Sequence, residues 1–170
     1  MKRYNTLFLC TGNSARSIMA EAILHKIGGD RFNALSAGSH PKGSVHPLAL
    51  RVLEEYRHDV TGMRSKGWDE LARPGAPPLD FVFTVCDSAA GETCPVWPGK
   101  PVSAHWGVED PAAFKGPEDA QLALFRRVYA QLDRRIRLLV VLPLGSLDRL
   151  SLQQELDTIG KGGTADRGPR

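Results

Sequence analysis

At 170 residues the chain is long enough for one domain with a real core and too short for two of ordinary size. Hydrophobic residues make up 42% and charged residues 24%, the balance of an ordinary globular protein. A formal net charge of +3 favours anions only weakly, and no run of Lys and Arg interleaved with aromatics points to nucleic acid. The densest apolar stretch, residues 138–144, falls far short of the roughly 20 residues that cross a bilayer. Lys2 and Arg3 precede an apolar stretch that breaks at Thr11-Gly12-Asn13, which argues against a secretory signal. A cytoplasmic protein without membrane contact is expected.

Residues 4–9 read as a buried strand, and a glycine-containing loop follows. Across 17–27, Ile18, Met19, Ala22, Ile23 and Ile27 form one helical stripe that Gly28-Gly29 ends. A weaker strand is predicted over 32–37. A helix follows over 47–56, with Pro47 in its first turn and Leu48, Val52, Leu53 and Tyr56 on one side. Residues 80–85 are almost wholly apolar, as in strands covered on both faces, and a shorter strand is predicted over 101–104. After Pro117 a long helix carries Leu122, Leu124, Phe125, Val128, Tyr129, Leu132 and Ile136 at helical spacing. A final helix is predicted over 147–159, closed by Gly160, and 160–170 has the composition of a disordered tail.

Strands alternating with helices imply an α/β fold. The expected architecture is three layers, αβα, with a central four-stranded parallel sheet in a single domain over 1–159. Ligands of such sheets bind beyond the carboxyl ends of the strands. Cys10 follows the first strand and Cys86 the third, so both fall on that edge. With Cys94 they make three cysteines, and an odd number argues against a disulfide framework. Their work is packing, metal binding or chemistry.

The run Cys10-Thr11-Gly12-Asn13-Ser14-Ala15-Arg16-Ser17 lies between the first strand and its helix. Backbone N–H groups of a tight turn and of a helix N-terminus converge on an anion, and Arg16 adds a planar fork for two oxygens. Gly12 is expected to adopt a backbone conformation that a side chain would resist. The same positive field favours a thiolate on Cys10, making it a nucleophile. Ser17 can donate a hydrogen bond to the sulfur, and Asn13 can hold the loop's shape. On its own, Cys10 also fits a small buried hydrophobe.

Cys-x5-Arg-Ser directly after the first strand resembles the low-molecular-weight tyrosine phosphatase superfamily, over residues 4–142. Within it the chain is more similar to the arsenate reductases than to the phosphatases. The motifs are Cys10-Thr11-Gly12-Asn13-Ser14, Met19-Ala20-Glu21, Ser36-Ala37-Gly38, Cys86, Cys94-Pro95, His105-Trp106-Gly107 and Asp110-Pro111-Ala112. Phosphatases usually carry proline after the loop serine, where Ile18 stands here. Many also place two adjacent tyrosines after their acid, where Ala112, Ala113 and Phe114 follow Asp110.

The resemblance implies arsenate as substrate and a relay of thiols. Cys10 attacks arsenate, Cys86 attacks the Cys10 sulfur, and Cys94 then attacks Cys86. An external thiol reductant, thioredoxin or a glutaredoxin-type protein, regenerates the enzyme, a monomer with no bound cofactor. Asp110 is the implied general acid, with His105 and Trp106 packing its loop. Asn13, Glu21 and Ser36 match residues that surround a potassium ion in some of these reductases. Lys66 stands near the place of their additional Asp, and its ammonium is expected to replace the ion and pair with Glu21. Ala15 replaces an extra loop cysteine that takes no part in the relay. A phosphatase, which needs no Cys86 or Cys94, and a non-catalytic oxyanion sensor are the alternatives. Zinc held by the three cysteines and His105 is a further one, but the Cys86–Cys94 spacing is wide for a zinc knuckle.

Overall fold

A computed structural model describes residues 2–86 and 97–162. Strands β1 (Tyr4–Cys10), β2 (Phe32–Gly38), β3 (Phe81–Thr84) and β4 (Val102–His105) form one sheet in the order β2-β1-β3-β4, every pair parallel. Helices α1 (Arg16–Gly28), α2 (Pro47–Glu55), α3 (Asp69–Ala72), α4 (Glu118–Val140) and α5 (Arg149–Gly160) surround it. In the register, Cys10 pairs with Gly38, Leu9 with Thr84 and Thr84 with His105. The carboxyl ends of all four strands therefore meet along one edge.

Alternation along β1 divides the core. Phe8 and Cys10 join the larger cluster, which includes Ile23, Val52, Phe125, Ile136 and Leu156 from α1, α2, α4 and α5. Leu7 and Leu9 point to the other face and meet Ala37, Leu79 and Val82, with Trp68, Leu71 and Trp97 over them. Among the described residues the two helical layers are thus unequal, because the second face carries the short α3 alone. That helix was not anticipated: four residues, Asp-Glu-Leu-Ala, are too few to show a period. Tyr56 also departs from expectation. It caps the end of α2 instead of extending it, is 45% exposed, and stacks on Tyr129 with ring centroids 4.2 Å apart. Burial pushes the Tyr129 phenol up to about 12, and its hydroxyl lies 2.6 Å from His58 Nε2.

The last helix runs through Gly160 instead of stopping before it. A Cβ at Gly160 would lie 2.3 Å from the His105 carbonyl oxygen, so only glycine lets α5 approach β4 this closely. Asp148 caps α5 through a 2.7 Å bond from Ser151 N–H. From α5, Gln153 donates to the Ser103 carbonyl, and Arg149 donates to those of Lys100 and Pro101. The extension beyond residue 144 thereby covers the edge strand, whose backbone groups would otherwise invite pairing with another chain. Residues 163–170, the main part of the expected tail, lie outside the described residues. No helix among the described residues is long and apolar enough to cross a membrane.

Candidate active site

The loop between β1 and α1 is held from outside through its carbonyls. His40 N–H donates to Thr11 O (2.9 Å), Lys42 N–H to Gly12 O (3.0 Å) and His46 N–H to Ser14 O (2.8 Å), while Ser65 Oγ reaches Gly12 O at 3.2 Å. In a trans peptide the N–H points opposite the carbonyl, so the segment 40–46 turns the loop's N–H groups inward. One of them, Asn13 N–H, reaches Cys10 Sγ at 3.2 Å. No side chain caps the N-terminus of α1, in contrast to α2 and α5, which leaves its first N–H groups for a ligand. The close fit needs Gly38, where a Cβ would lie 2.5 Å from Thr11 O.

The expectation for Gly12 is corrected. The loop residue with positive φ is Asn13 (φ 43°), a type that tolerates the left-handed region. Gly12 lacks a side chain for another reason: its missing Cβ makes room for the stem of Lys42, whose Cε would lie 3.2 Å from it.

A directed chain of hydrogen bonds ends at the sulfur. Ser36 Oγ donates to Glu21 Oε1 and accepts from Asn13 Nδ2 (3.1 Å). The same amide donates to Ser17 Oγ (2.7 Å), which lies 2.9 Å from Cys10 Sγ. A Cys10 thiolate has no proton to give, so against it Ser17 is the donor and stabilises the negative charge on the sulfur. Asn13, Ser17 and Ser36 are fully buried, so each bond replaces one that water cannot supply. Lys66 enters through a backbone bridge at the end of β2: Gly38 N–H donates to Lys66 O (3.0 Å) and Lys66 N–H to Asn13 Oδ1 (2.9 Å). Its ammonium lies 3.4 Å from Ser36 Oγ and 3.7 Å from Glu21. The Asn13, Glu21 and Ser36 donor set is thus already served by a cation of the chain and does not fit a potassium ion.

Arg16 Nη1 donates to Val108 O (3.1 Å), and Nη2 lies 3.5 Å from Asp110 Oδ2. Asp110 also accepts from Ala112 N–H through its other oxygen (3.0 Å), an arrangement that fixes the carboxylate at the mouth of the loop. Together these residues border a cavity of about 260 Å³, lined by residues 10–16 with His40, Lys42, Asp110 and Ala112. A larger cavity of about 430 Å³ beside His25 and His58 contains neither a thiol nor the loop's N–H groups. Cys86 is buried, with Sγ 3.7 Å from Thr11 Oγ1, so its thiol stands against the loop that carries Cys10. Cys94 lies outside the described residues.

His40, Lys42, His46 and Ser65 were not picked out from sequence. They reach the site mainly through backbone N–H groups, which leave no mark on residue type. The available clue was position: a polar segment directly after β2, whose end the parallel pairing puts beside Cys10. Burial, and then the charge of Lys42, hold His46 below the usual imidazole range. Its Nδ1 accepts from Leu48 N–H at the start of α2 (3.1 Å).

Residues 5–155 match the low molecular weight phosphotyrosine protein phosphatase family. The chain belongs to that family. Within it the chain falls among the arsenate reductases: it is 38% identical over 130 residues to the arsenate reductase of Halalkalibacterium halodurans, covering 76% of this chain and 90% of that one. Among solved structures, an arsenate reductase from Archaeoglobus fulgidus superimposes with a TM-score of 0.60 at 28% identity, covering 79% of this chain and 98% of that one. The thioredoxin-dependent arsenate reductase of Corynebacterium glutamicum gives 0.59 at 26% identity, covering 81% and 60%. In this phosphatase-family chain, Cys10, Arg16 and Asp110 border one cavity, and Cys86 stands just behind it.

Proposed function

We propose that the protein reduces arsenate to arsenite with its own thiols and is restored by thioredoxin. The Cys10 thiolate attacks arsenic, an As–S bond forms, and an As–O bond breaks as Asp110 supplies the proton that lets the oxygen leave as water. Arg16 and the N–H groups of residues 11–17 hold the remaining oxygens. Cys86 then attacks the Cys10 sulfur, and the As–S electron pair returns to arsenic. As(V) becomes As(III), arsenite departs, and a Cys10–Cys86 disulfide remains. Cys94 attacks Cys86, releases the Cys10 thiolate, and leaves a Cys86–Cys94 disulfide for thioredoxin or a glutaredoxin-type reductant.

The position of Cys86 carries this reading. Hydrolysis of a phosphate monoester uses Cys10, Arg16 and Asp110 and has no work for a thiol held against Thr11. The reading places the protein in the cytoplasm, where such reductants act, as a monomer without a bound cofactor. Its test follows NADPH loss with arsenate, thioredoxin and thioredoxin reductase. Cys86→Ser and Cys94→Ser are each expected to reduce turnover by at least about 100-fold. Wild-type turnover by Cys94→Ser with thioredoxin would refute the three-thiol relay. Aryl phosphate hydrolysis without arsenate-dependent NADPH loss would favour the phosphatase.

Lys66 serves this reading as a resident cation. Exchanging potassium for sodium is expected to leave wild-type rates unchanged. Lys66→Met leaves Glu21 without its ammonium and should lower stability by about 1–3 kcal/mol, read from urea unfolding. The arsenate rate of that variant should fall and recover in part with potassium. A wild-type enzyme that requires potassium would disprove the substitution.

A further inference from the structure

We infer that Lys42 is the residue that selects a free inorganic oxyanion over a phosphate ester in the candidate active site. Of the charged side chains lining the cavity, Arg16 and Asp110 lie 3.5 Å apart and largely offset one another. Lys42 supplies the net positive side-chain charge, which attracts any dianion, and selection between dianions depends on which of them accepts a bond from its ammonium.

Its placement is built. The backbone of Lys42 is fixed by the bond from its N–H to Gly12 O (3.0 Å), and its Cγ, Cδ and Cε lie over the Gly12 face left open by the missing Cβ. Among the described residues, no carboxylate pairs with its ammonium and no hydrogen bond engages it. The charge therefore stays available to a ligand while the stem is held against the loop.

Geometry then gives the selection. A tetrahedral anion attacked by Cys10 directs oxygens towards the loop N–H groups and Arg16, with one oxygen facing the mouth. In arsenate or phosphate that oxygen carries charge or a proton and can receive a bond from an ammonium. In a monoester that oxygen bridges to carbon, so it carries neither charge nor proton and accepts a bond from an ammonium only weakly. The ester's organic group competes with the Lys42 stem for space in a cavity of about 260 Å³. The inference deepens the proposed function by naming what distinguishes its substrate class.

The test separates binding from reduction. Isothermal titration with inorganic phosphate, and separately with phenyl phosphate, is performed on the reduced wild type, Lys42→Met and Lys42→Arg. Lys42 is exposed, so both variants should fold. Lys42→Met is expected to bind inorganic phosphate about tenfold more weakly, the loss of one partly solvated charged hydrogen bond. Phenyl phosphate affinity should change by less than about threefold, and Lys42→Arg should retain most of the inorganic affinity. In arsenate turnover, Lys42→Met should raise KM by the same tenfold factor with kcat nearly unchanged. Equal losses for both probes, or none for either, overturn the inference. Because the titrations need no redox step, they decide the role of Lys42 even if arsenate is not the substrate.

Discussion

Cys10→Ser is expected to abolish arsenate-dependent NADPH oxidation, with a loss of at least about 10⁴-fold in the coupled thioredoxin assay. The size follows from what the site can and cannot compensate. Asn13 N–H and Ser17 Oγ stabilise negative charge at the position of the sulfur. A serine hydroxyl there still accepts those bonds, but it holds its proton far more tightly than a thiol, and an oxygen bound to arsenic offers Cys86 no sulfur to attack. Attack on arsenic and the later disulfide step therefore fail together. The loop N–H groups, Arg16 and Lys42 remain, so inorganic phosphate should bind the variant within a few-fold of wild type. That pair of results would mark Cys10 as the nucleophile instead of a binding or packing residue. Arsenate turnover by Cys10→Ser within tenfold of wild type would mean that the reacting thiol is elsewhere.

The hydrogen-bond chain behind Cys10 shows how far sequence can be read. Each member, Glu21, Ser36, Asn13 and Ser17, was recognisable as a candidate because its type and order matched a known pattern. The direction of the chain was not, since only coordinates show that Asn13 spends both amide protons on Ser17 and Ser36. The placement of Lys66 shows the same limit. Its ammonium could be expected near Glu21, but the Gly38–Gly67 bridge that delivers it joins segments far apart in the chain. Fold class was legible because the strands carry their burial in their composition: Phe81-Val82-Phe83 is apolar throughout, since both of its faces are covered. Tyr56 was misread for a related reason, because periodicity alone cannot tell an aromatic in the core from one stacked at the surface.

Trp106→Ala is expected to cost about 3–5 kcal/mol of stability, the range for deleting a buried tryptophan. Trp106 is fully buried, stacks on Phe83 with centroids 3.8 Å apart, and lies tilted against Phe8 at 6.4 Å. Its indole N–H donates to Leu156 O (2.9 Å), tying β4 to α5, and alanine would leave that carbonyl without its donor. For a domain of this length the melting temperature should fall by about 10–15 °C. Trp106→Phe separates the contributions: the stacking survives and the loss should be about 1 kcal/mol, the share of the hydrogen bond. The effect should extend to chemistry through the backbone. Arg135 Nη1 holds the carbonyls of Trp106 (3.1 Å) and Gly107 (2.9 Å), and the chain passes from there to Val108, which engages Arg16, and to Asp110. A cavity under that segment loosens the acid and the Arg16 partner together. In Trp106→Ala at a temperature where it remains folded, kcat for arsenate should fall about tenfold or more, while Trp106→Phe stays near wild type. If the alanine variant is destabilised as expected but keeps full kcat, the segment from Trp106 to Asp110 is set by Arg135 and Arg16 alone.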